Sequence, residues 1–201
     1  VLVGHDPGKL WHVSLFLKAF AVRGEPGFSW YVVGEESTRQ ATIEQHVANV
    51  VTRARNDWGV NLLNRHDKPV DGGPTMLVRA DPYSESSSSD TSPDRGVYVT
   101  WRRAGVAIHP AAYVANATKL HVGRIPKEGG IDMVCRLFCS AGATRRLYVA
   151  CDEQRTPSAL KLVESIESME RDEAGRAEME RKDVYDRSHW TAALRYGLWA
   201  I

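Results

Sequence analysis

The chain has 201 residues, with 26 Lys and Arg against 25 Asp and Glu, and 43% of its residues are hydrophobic. This length supports one hydrophobic core without disulfides. A formal net charge of +1 supplies no overall positive field for nucleic acid or an anionic membrane. We therefore do not expect nucleic acid as a partner, and expect a protein or a small molecule instead.

The cysteines and the apolar runs indicate an intracellular chain. Cys135, Cys139 and Cys151 are odd in number and lie in segments with the pattern of buried strands. We expect buried thiols in a reducing, cytoplasmic compartment and no secreted disulfide framework. The most apolar early run, residues 13–22, is interrupted by Lys18. It is too short for the roughly 20 residues of a membrane helix.

The first sixty residues predict a hairpin and a helix. Residues 11–17 and 28–33 are rich in aromatic and β-branched residues, and the segment between them has turn chemistry. Residues 37–40, Ser-Thr-Arg-Gln, have the spacing of a capping box. Apolar residues then recur every three or four positions over residues 43–58, which predicts an amphipathic helix that ends near Gly59.

The composition of the middle of the chain predicts a loop between two parts of the chain. A loop at residues 64–74 and a short strand at 76–79 precede residues 83–94, which are dominated by Ser with Asp, Glu and Pro. Such a segment lacks the apolar residues that offset ordering entropy, so we expect a mobile loop. Each part alone would be small, and we therefore expect a single domain over residues 1–201.

The second half predicts closely spaced strands and two helices. The predicted strands are residues 97–101, 106–108, 120–125, 133–140 and 147–151. Thr156-Pro157 predicts the start of a second helix. Residues 170–186 are almost entirely charged and predict a solvated helix. Residues 170–201 as a whole then predict a docking arm, whose aromatic end returns to the core or contacts a partner, including a second copy.

Together these elements predict an α+β fold. We expect a mixed, largely antiparallel sheet covered by two helices, with a charged C-terminal helix. The close spacing of the second-half strands favours antiparallel pairing there.

His12 is the titratable residue that the strand pattern singles out. In a strand, His12 and Ser14 lie on one face. Residues 12–17 followed by residues 30–34 resemble the first hairpin of the papain-like NlpC/P60 and lecithin retinol acyltransferase group. That resemblance implies a base at His12 and a nucleophile at Cys151, ahead of the second predicted helix. A buried structural cysteine is the alternative for Cys151.

The second resemblance is to the two-histidine phosphoesterases, whose repeated His-x-Ser/Thr tetrads supply an acid, a base and phosphate-binding hydroxyls. Residues 12–15 fit the first tetrad, and residues 121–124 fit the second at His121. The resemblance implies acid and base roles for His12 and His121, and a phosphate-binding role for Ser14.

Other motifs favour simpler interpretations. Residues 4–9 have only part of a phosphate-binding loop, and Leu10 stands where Ser or Thr would bind magnesium, which indicates a polar turn. The histidines and cysteines lack the spacing of metal ligands, so we expect no metal and no cofactor. Arg145-Arg146 beside Tyr148 supplies what base stacking needs, although arginines at strand ends also keep an edge soluble.

The sequence thus favours a small intracellular binding or interaction domain without a catalytic constellation. The alternative is a hydrolase or acyltransferase that uses His12 with Cys151. A third hypothesis is a phosphoesterase that uses His12 with His121.

Overall fold

The computed structural model describes residues 1–8, 10–22, 27–62, 74–81, 96–111, 113–114, 122–123, 127–138, 144–168 and 188–199. Its strands are Leu2–Pro7 (β1), Trp11–Ala21 (β2), Phe28–Arg39 (β3), Leu77–Ala80 (β4), Ala107–Pro110 (β5), Tyr113–Val114 (β6), Val122–Gly123 (β7) and Leu147–Val149 (β8). Its helices are Ile43–Trp58 (α1), Val97–Arg103 (α2), Lys127–Phe138 (α3), Leu160–Glu167 (α4) and Ser188–Leu198 (α5). None of these helices is long and apolar enough to cross a membrane.

Six strands form one mixed sheet in the order β5-β4-β1-β2-β3-β8. β1 pairs with β2, and β2 pairs with β3, in both cases antiparallel. These two long pairings make the sheet largely antiparallel. The predicted α+β class and the predicted hairpin are therefore confirmed. The prediction of antiparallel pairing for β5 and β8 is wrong, because β5 is parallel to β4 and β8 is parallel to β3. Long connections between these strands permit parallel pairing.

Alternation along β2 assigns the two faces of the sheet. Phe16 packs into a core with residues of α1 and α2, and we name this side the α1 face. Val13, Leu15 and Leu17 pack into a second core with residues of α4 and α5, and we name this side the α5 face. The sheet is thus covered on both sides, which agrees with the continuous apolar run Leu-Phe-Leu at residues 15–17 of β2.

Two segments predicted as strands are helices. Val97–Arg103 forms α2 and Lys127–Phe138 forms α3. Short apolar runs fit a strand and a buried helix equally well. In α2 the buried Tyr98 and Trp101 are three residues apart, which is helical spacing.

The start of α1 also differs from the prediction, whereas its end agrees. The predicted capping box at residues 37–40 is wrong, because β3 continues to Arg39. Thr42 caps the helix instead: its side chain accepts from the Gln45 backbone N–H, and the Gln45 side chain accepts from the Thr42 N–H. The predicted end near Gly59 is confirmed, since this residue is left-handed with φ of 62°.

The predicted second helix is α4, which begins at Leu160, later than the predicted start at Thr156-Pro157. Pro157 instead forms an isolated bridge with Cys151. The Glu35 carboxylate on β3 accepts hydrogen bonds from two backbone N–H groups in the first turn of α4. This contact fixes the helix against the sheet.

The aromatic end of the chain forms α5, which packs on its own sheet. Trp190, Leu194 and Leu198 are buried in the core of the α5 face. This agrees with the first of the two predicted alternatives, a tail that returns to the core. The loop predicted at residues 83–94 and the charged run at 170–186 lie outside the described residues.

The cysteines differ from the prediction. Cys135 on α3 and Cys151 after β8 are free and exposed, so the expectation of buried thiols is wrong for both. The cause is that α3 is a helix with one side turned away from the core, and that β8 ends at Val149. Cys139 lies outside the described residues.

Two glycines bring α5 directly onto β1. A Cβ at Gly4 would overlap the backbone oxygen of Ala193 and lie 2.8 Å from the backbone nitrogen of Gly197. A Cβ at Gly197 would lie 2.5 Å from Leu17 Cδ1 and 3.1 Å from Gly4 Cα. Backbone atoms cannot move aside unless the whole helix shifts, so this close approach requires glycine.

The close approach predicts that Gly4→Ala lowers the free energy of unfolding by about 2–4 kcal/mol, since the added methyl group forces α5 away from β1. Urea unfolding followed by circular dichroism measures the change. Gly96→Ala is the matched control, because a Cβ there meets no atom within 4 Å. It should change stability by less than about 1 kcal/mol. Equal losses in the two variants would contradict this account of the β1–α5 contact.

Candidate active site

Two carboxylates lie at the ends of adjacent parallel strands. Asp6 is near the C-terminal end of β1, and Asp81 directly follows β4. The strands pair with His5 opposite Ala80, so Asp6 and Asp81 are the next neighbours in the register. Ala80 packs in the core of the α1 face and His5 contacts His46 of α1. By alternation both carboxylates belong to the α5 face.

α5 supplies a hydrogen-bond donor to each carboxylate. The His189 Nδ1–H donates to Asp6 Oδ2 at 2.6 Å, and both side chains are largely buried. The Tyr196 hydroxyl donates to Asp81 Oδ2 at 3.0 Å. Burial, followed by the negative charges of Asp6 and Asp81, raises the pKa of Tyr196 well above its ordinary value. The register of β1 with β4 and the hydrogen bonds from one helix, α5, place the two carboxylates in a single site.

The site offers the oxygen ligands that Mg²⁺ and similar cations prefer. Asp6 uses Oδ2 for His189, and its other oxygen is left for a further partner. Within the described ranges, no group of three His, Cys, Asp or Glu side chains is placed to share a metal ion. Mg²⁺ commonly binds one or two carboxylates and completes its shell with water and substrate phosphates. The pair Asp6 and Asp81 fits this type of site.

A neutral histidine chain occupies the α1 face beneath the carboxylates. Ser14 Oγ lies 3.0 Å from His5 Nδ1 and 2.9 Å from His46 Nε2, and Thr38 Oγ1 lies 2.9 Å from His46 Nδ1. The Val13 carbonyl, 3.2 Å from His5 Nδ1, can only accept, so His5 carries its hydrogen on Nδ1. Ser14 then accepts from His5 and donates to His46, and His46 donates to Thr38. Every link is satisfied when both imidazoles are neutral.

Burial keeps these histidines neutral. It lowers the pKa of His46 to about 3, with a smaller contribution from repulsion by His12. Burial likewise lowers the pKa of His5 well below its usual range, with repulsion from His46 and His12 adding to the effect. The His12 ring lies 5.6 Å from the His46 ring, and burial lowers its pKa as well. The cluster ties the first turn of α1 to β2 and β3.

The structure brings together two of the sequence-predicted site residues and separates a third. His12 and Ser14 both lie in the histidine cluster on the α1 face. Cys151 is exposed beyond β8; its thiol lies 3.9 Å from the Val149 carbonyl and forms no hydrogen bond with His12. His121 lies outside the described residues. The catalytic roles suggested for these four residues stay predictions.

Sequence reasoning missed Asp6, Asp81, His189 and Tyr196. One signal was present, since the pattern Leu-Val-x-x-Asp-Pro occurs at residues 2–7 and again at residues 77–82. The register pairs the first four residues of each copy across β1 and β4. The interpretation of residues 4–9 as a turn is wrong for its first four residues, which belong to β1.

Two solved structures resemble the chain. The nuclease domain of the phage P22 large terminase has a TM-score of 0.51 and 14% sequence identity, with 98% of this chain and 81% of that chain covered. The large terminase nuclease of the thermophilic phage G20c has a TM-score of 0.46 and 16% identity, with 98% and 79% covered. No family model and no curated protein matches the chain. The P22 likeness shows that this chain shares the fold of that domain.

The comparison corrects two predictions. The interpretation as a binding domain without a catalytic constellation is wrong, because the P22 structure of the same fold is a nuclease domain. The finding agrees better with the hydrolase alternative. The expectation that nucleic acid is an unlikely partner is wrong on the same finding. Net charge misled here because it averages over surfaces that differ in local charge.

The buried histidines predict that the protein loses stability in acid. The folded pKa of His46, about 3, is below the unfolded value of 6.5, so the unfolded state binds more protons between these values. Stability is complete above pH 6.5 and falls as the pH decreases below it. From pH 6.5 to pH 5 we expect a loss of about 2 kcal/mol for His46 alone. Urea unfolding at several pH values measures it.

His46→Gln tests this assignment, because an amide can hydrogen-bond but does not titrate in this range. The variant should show a shallower decrease of stability with acid. His109→Gln on the exposed end of β5 is the control and should keep the wild-type pH dependence. A His46→Gln protein with the wild-type slope would refute the role of His46.

Proposed function

We propose that the protein is a metal-dependent nuclease that hydrolyses phosphodiester bonds at the site formed by Asp6 and Asp81. The observation that carries the proposal is the placement of these two carboxylates in register on one face of the sheet. The P22 domain that shares the fold is named a nuclease. Hydrolysis also agrees with the hydrolase class that the sequence analysis kept as its alternative.

The residues of the chain have separable roles in this proposal. Asp6 and Asp81 would hold a divalent cation, which when bound supplies Lewis-acid stabilisation and lowers the pKa of a bound water. His189 fixes the orientation of Asp6 through its Nδ1–H, and Tyr196 fixes Asp81 through its hydroxyl. Donors of this kind orient ligating carboxylates and tune their affinity. α5 is therefore the positioning element of the site.

An intracellular location forms part of the proposal. Cys135 and Cys151 are free and exposed, and exposed thiols persist in a reducing compartment.

The proposal predicts that Asp6→Asn and Asp81→Asn each reduce cleavage of DNA or RNA by a factor of about 100 or more, because the amide removes a negative ligand from the cation site. Cleavage of a fluorescently labelled oligonucleotide with Mg²⁺ or Mn²⁺ measures the rate, and EDTA should abolish it. Circular dichroism should show that both variants fold.

Asp132→Asn on the exposed surface of α3 is the matched control, since it changes the same charge away from the site. It should cleave at the wild-type rate. A wild-type protein that leaves both nucleic acids intact with either metal would refute the proposed function. So would Asp6→Asn and Asp81→Asn variants with full activity.

A second prediction concerns His189. His189→Ala should weaken Mn²⁺ binding by a factor of about 10–100, because Asp6 loses the donor that orients it. His189→Asn should bind more tightly than His189→Ala, since the asparagine amide can replace the Nδ1–H donor. Titration of free Mn²⁺ by electron paramagnetic resonance measures both. Unchanged binding in His189→Ala would show that the Asp6 contact has no role in holding metal.

A further inference from the structure

An aromatic row crosses the sheet at the end opposite to the carboxylates. Phe20 on β2, Tyr31 on β3 and Tyr148 on β8 form this row: the rings of Phe20 and Tyr31 lie 5.3 Å apart edge to face, and those of Tyr31 and Tyr148 are stacked at 5.0 Å. Lys18, which is paired with Tyr31, lies over the ring of Trp58 at the end of α1. The row therefore belongs to the α1 face, beyond the last turn of α1.

The outer rings of the row are accessible. Phe20 is 53% exposed, although it is a large apolar side chain. Tyr31 has Phe20 on one side and Tyr148 on the other, and Tyr148 is partly exposed. The Tyr148 hydroxyl donates to the Arg145 carbonyl at 2.9 Å, which fixes this ring at the edge of the sheet. Ordered, exposed aromatic rings on a sheet are suited to stacking on flat ligands.

The strand segments that form the row carry only positive charges among their own residues. The three segments that form it, residues 17–22, 27–33 and 144–150, contain Lys18, Arg145 and Arg146 and no acidic residue. Arg145 is exposed, and the Arg146 guanidinium lies beside Gly27 at the start of β3. The surface therefore combines stacking rings with cations, which complements a ligand that carries both flat bases and phosphates.

A groove of about 500 Å³ adjoins the row at Phe20. Its walls include Leu17, Phe20, Trp30 and Trp58, and Lys18 is the charged residue among its lining. This volume is typical of sites for small organic ligands. An apolar groove with one lysine suits a nucleobase whose phosphate stays near the amine.

We propose that the aromatic row and this groove form a second nucleic-acid site, which holds an unpaired strand. Bases stack on Phe20 and Tyr148 and enter the groove, and phosphates lie against Lys18 and the arginines. Stacking on these rings requires bases that are not already stacked in a duplex, so the site selects single strands. The site goes beyond the proposed nuclease, because it lies roughly 20 Å along β2 from Asp6 and needs no metal.

Fluorescence anisotropy of a labelled 15-nucleotide thymidine oligonucleotide in EDTA tests the proposal without catalysis. We expect the wild-type protein to bind it at least tenfold more tightly than a duplex of equal length. Phe20→Ala and Tyr148→Ala should each weaken binding about tenfold. Lys18→Gln should reduce the slope of log affinity against log salt by about 0.7, since one phosphate contact is lost.

Phe28→Ala is the matched control. Phe28 is 54% exposed, but alternation along β3 places it on the opposite face from Tyr31. This variant should bind the oligonucleotide within twofold of wild type, and the melting temperatures of all variants should confirm that they fold. No binding by wild type, equal binding of the duplex, or equal losses in Phe28→Ala and Phe20→Ala would each overturn the proposal.

Photocrosslinking locates the bound strand independently. An oligonucleotide with 5-iodouracil should crosslink to peptides that contain Phe20 or Tyr148, as identified by mass spectrometry. Crosslinks confined to peptides around Asp6 and His189 would overturn the second site. Failure of the nuclease assay together with intact, Phe20-dependent binding would therefore refute the proposed nuclease alone.

Discussion

The candidate site depends on the direct contact between β1 and α5. Gly4 lies beneath Ala193 and Gly197, and neither glycine can carry a side chain without displacing backbone. His189, Ala193 and Gly197 are spaced by four residues and share one side of the helix. Two strand residues advance roughly 7 Å and four helical residues roughly 6 Å, so contact at Gly4 places His189 over Asp6. One packing constraint thus sets the geometry of a buried carboxylate that lies two residues away.

His5 and Asp6 are adjacent in β1 but lie in different electrostatic environments. His5 points to the α1 face and joins a chain of hydroxyls and neutral imidazoles, whose pKa values burial holds low. Asp6 points to the α5 face, where His189 stabilises its carboxylate. The sheet separates the two groups, so the neutral chain can hold α1 in place without adding charge to the site. His12, which the strand pattern singled out, lies beside this chain on the α1 face, with its ring 5.6 Å from that of His46.

Signals within a few residues predicted local structure correctly. Features that depend on the pairing of distant segments could not be predicted from the sequence. The hairpin of β2 and β3 and the left-handed end of α1 at Gly59 follow from turn and cap chemistry within a few residues. α2 was missed because the five residues from Val97 to Trp101 are too few to show a decisive period. Asp6 and Asp81 are 75 positions apart in the sequence, and only the parallel register of β1 with β4 makes them neighbours. The sequence did contain one signal, the pattern Leu-Val-x-x-Asp-Pro in both strands. It indicates a shared site only when the register of the two strands is known.

The two ends of the sheet carry different charged residues near their proposed sites. Lys18, Arg145 and Arg146 lie near the aromatic row at one end, while Asp6 and Asp81 lie at the other, where Arg195 also acts on Tyr196. β2 runs through the sheet as one strand of eleven residues, so the two ends keep a fixed separation. A polyanion is attracted to the aromatic row and repelled by the bare carboxylates. In the proposed function, a divalent cation held by Asp6 and Asp81 would offset that repulsion and allow a phosphodiester to approach them.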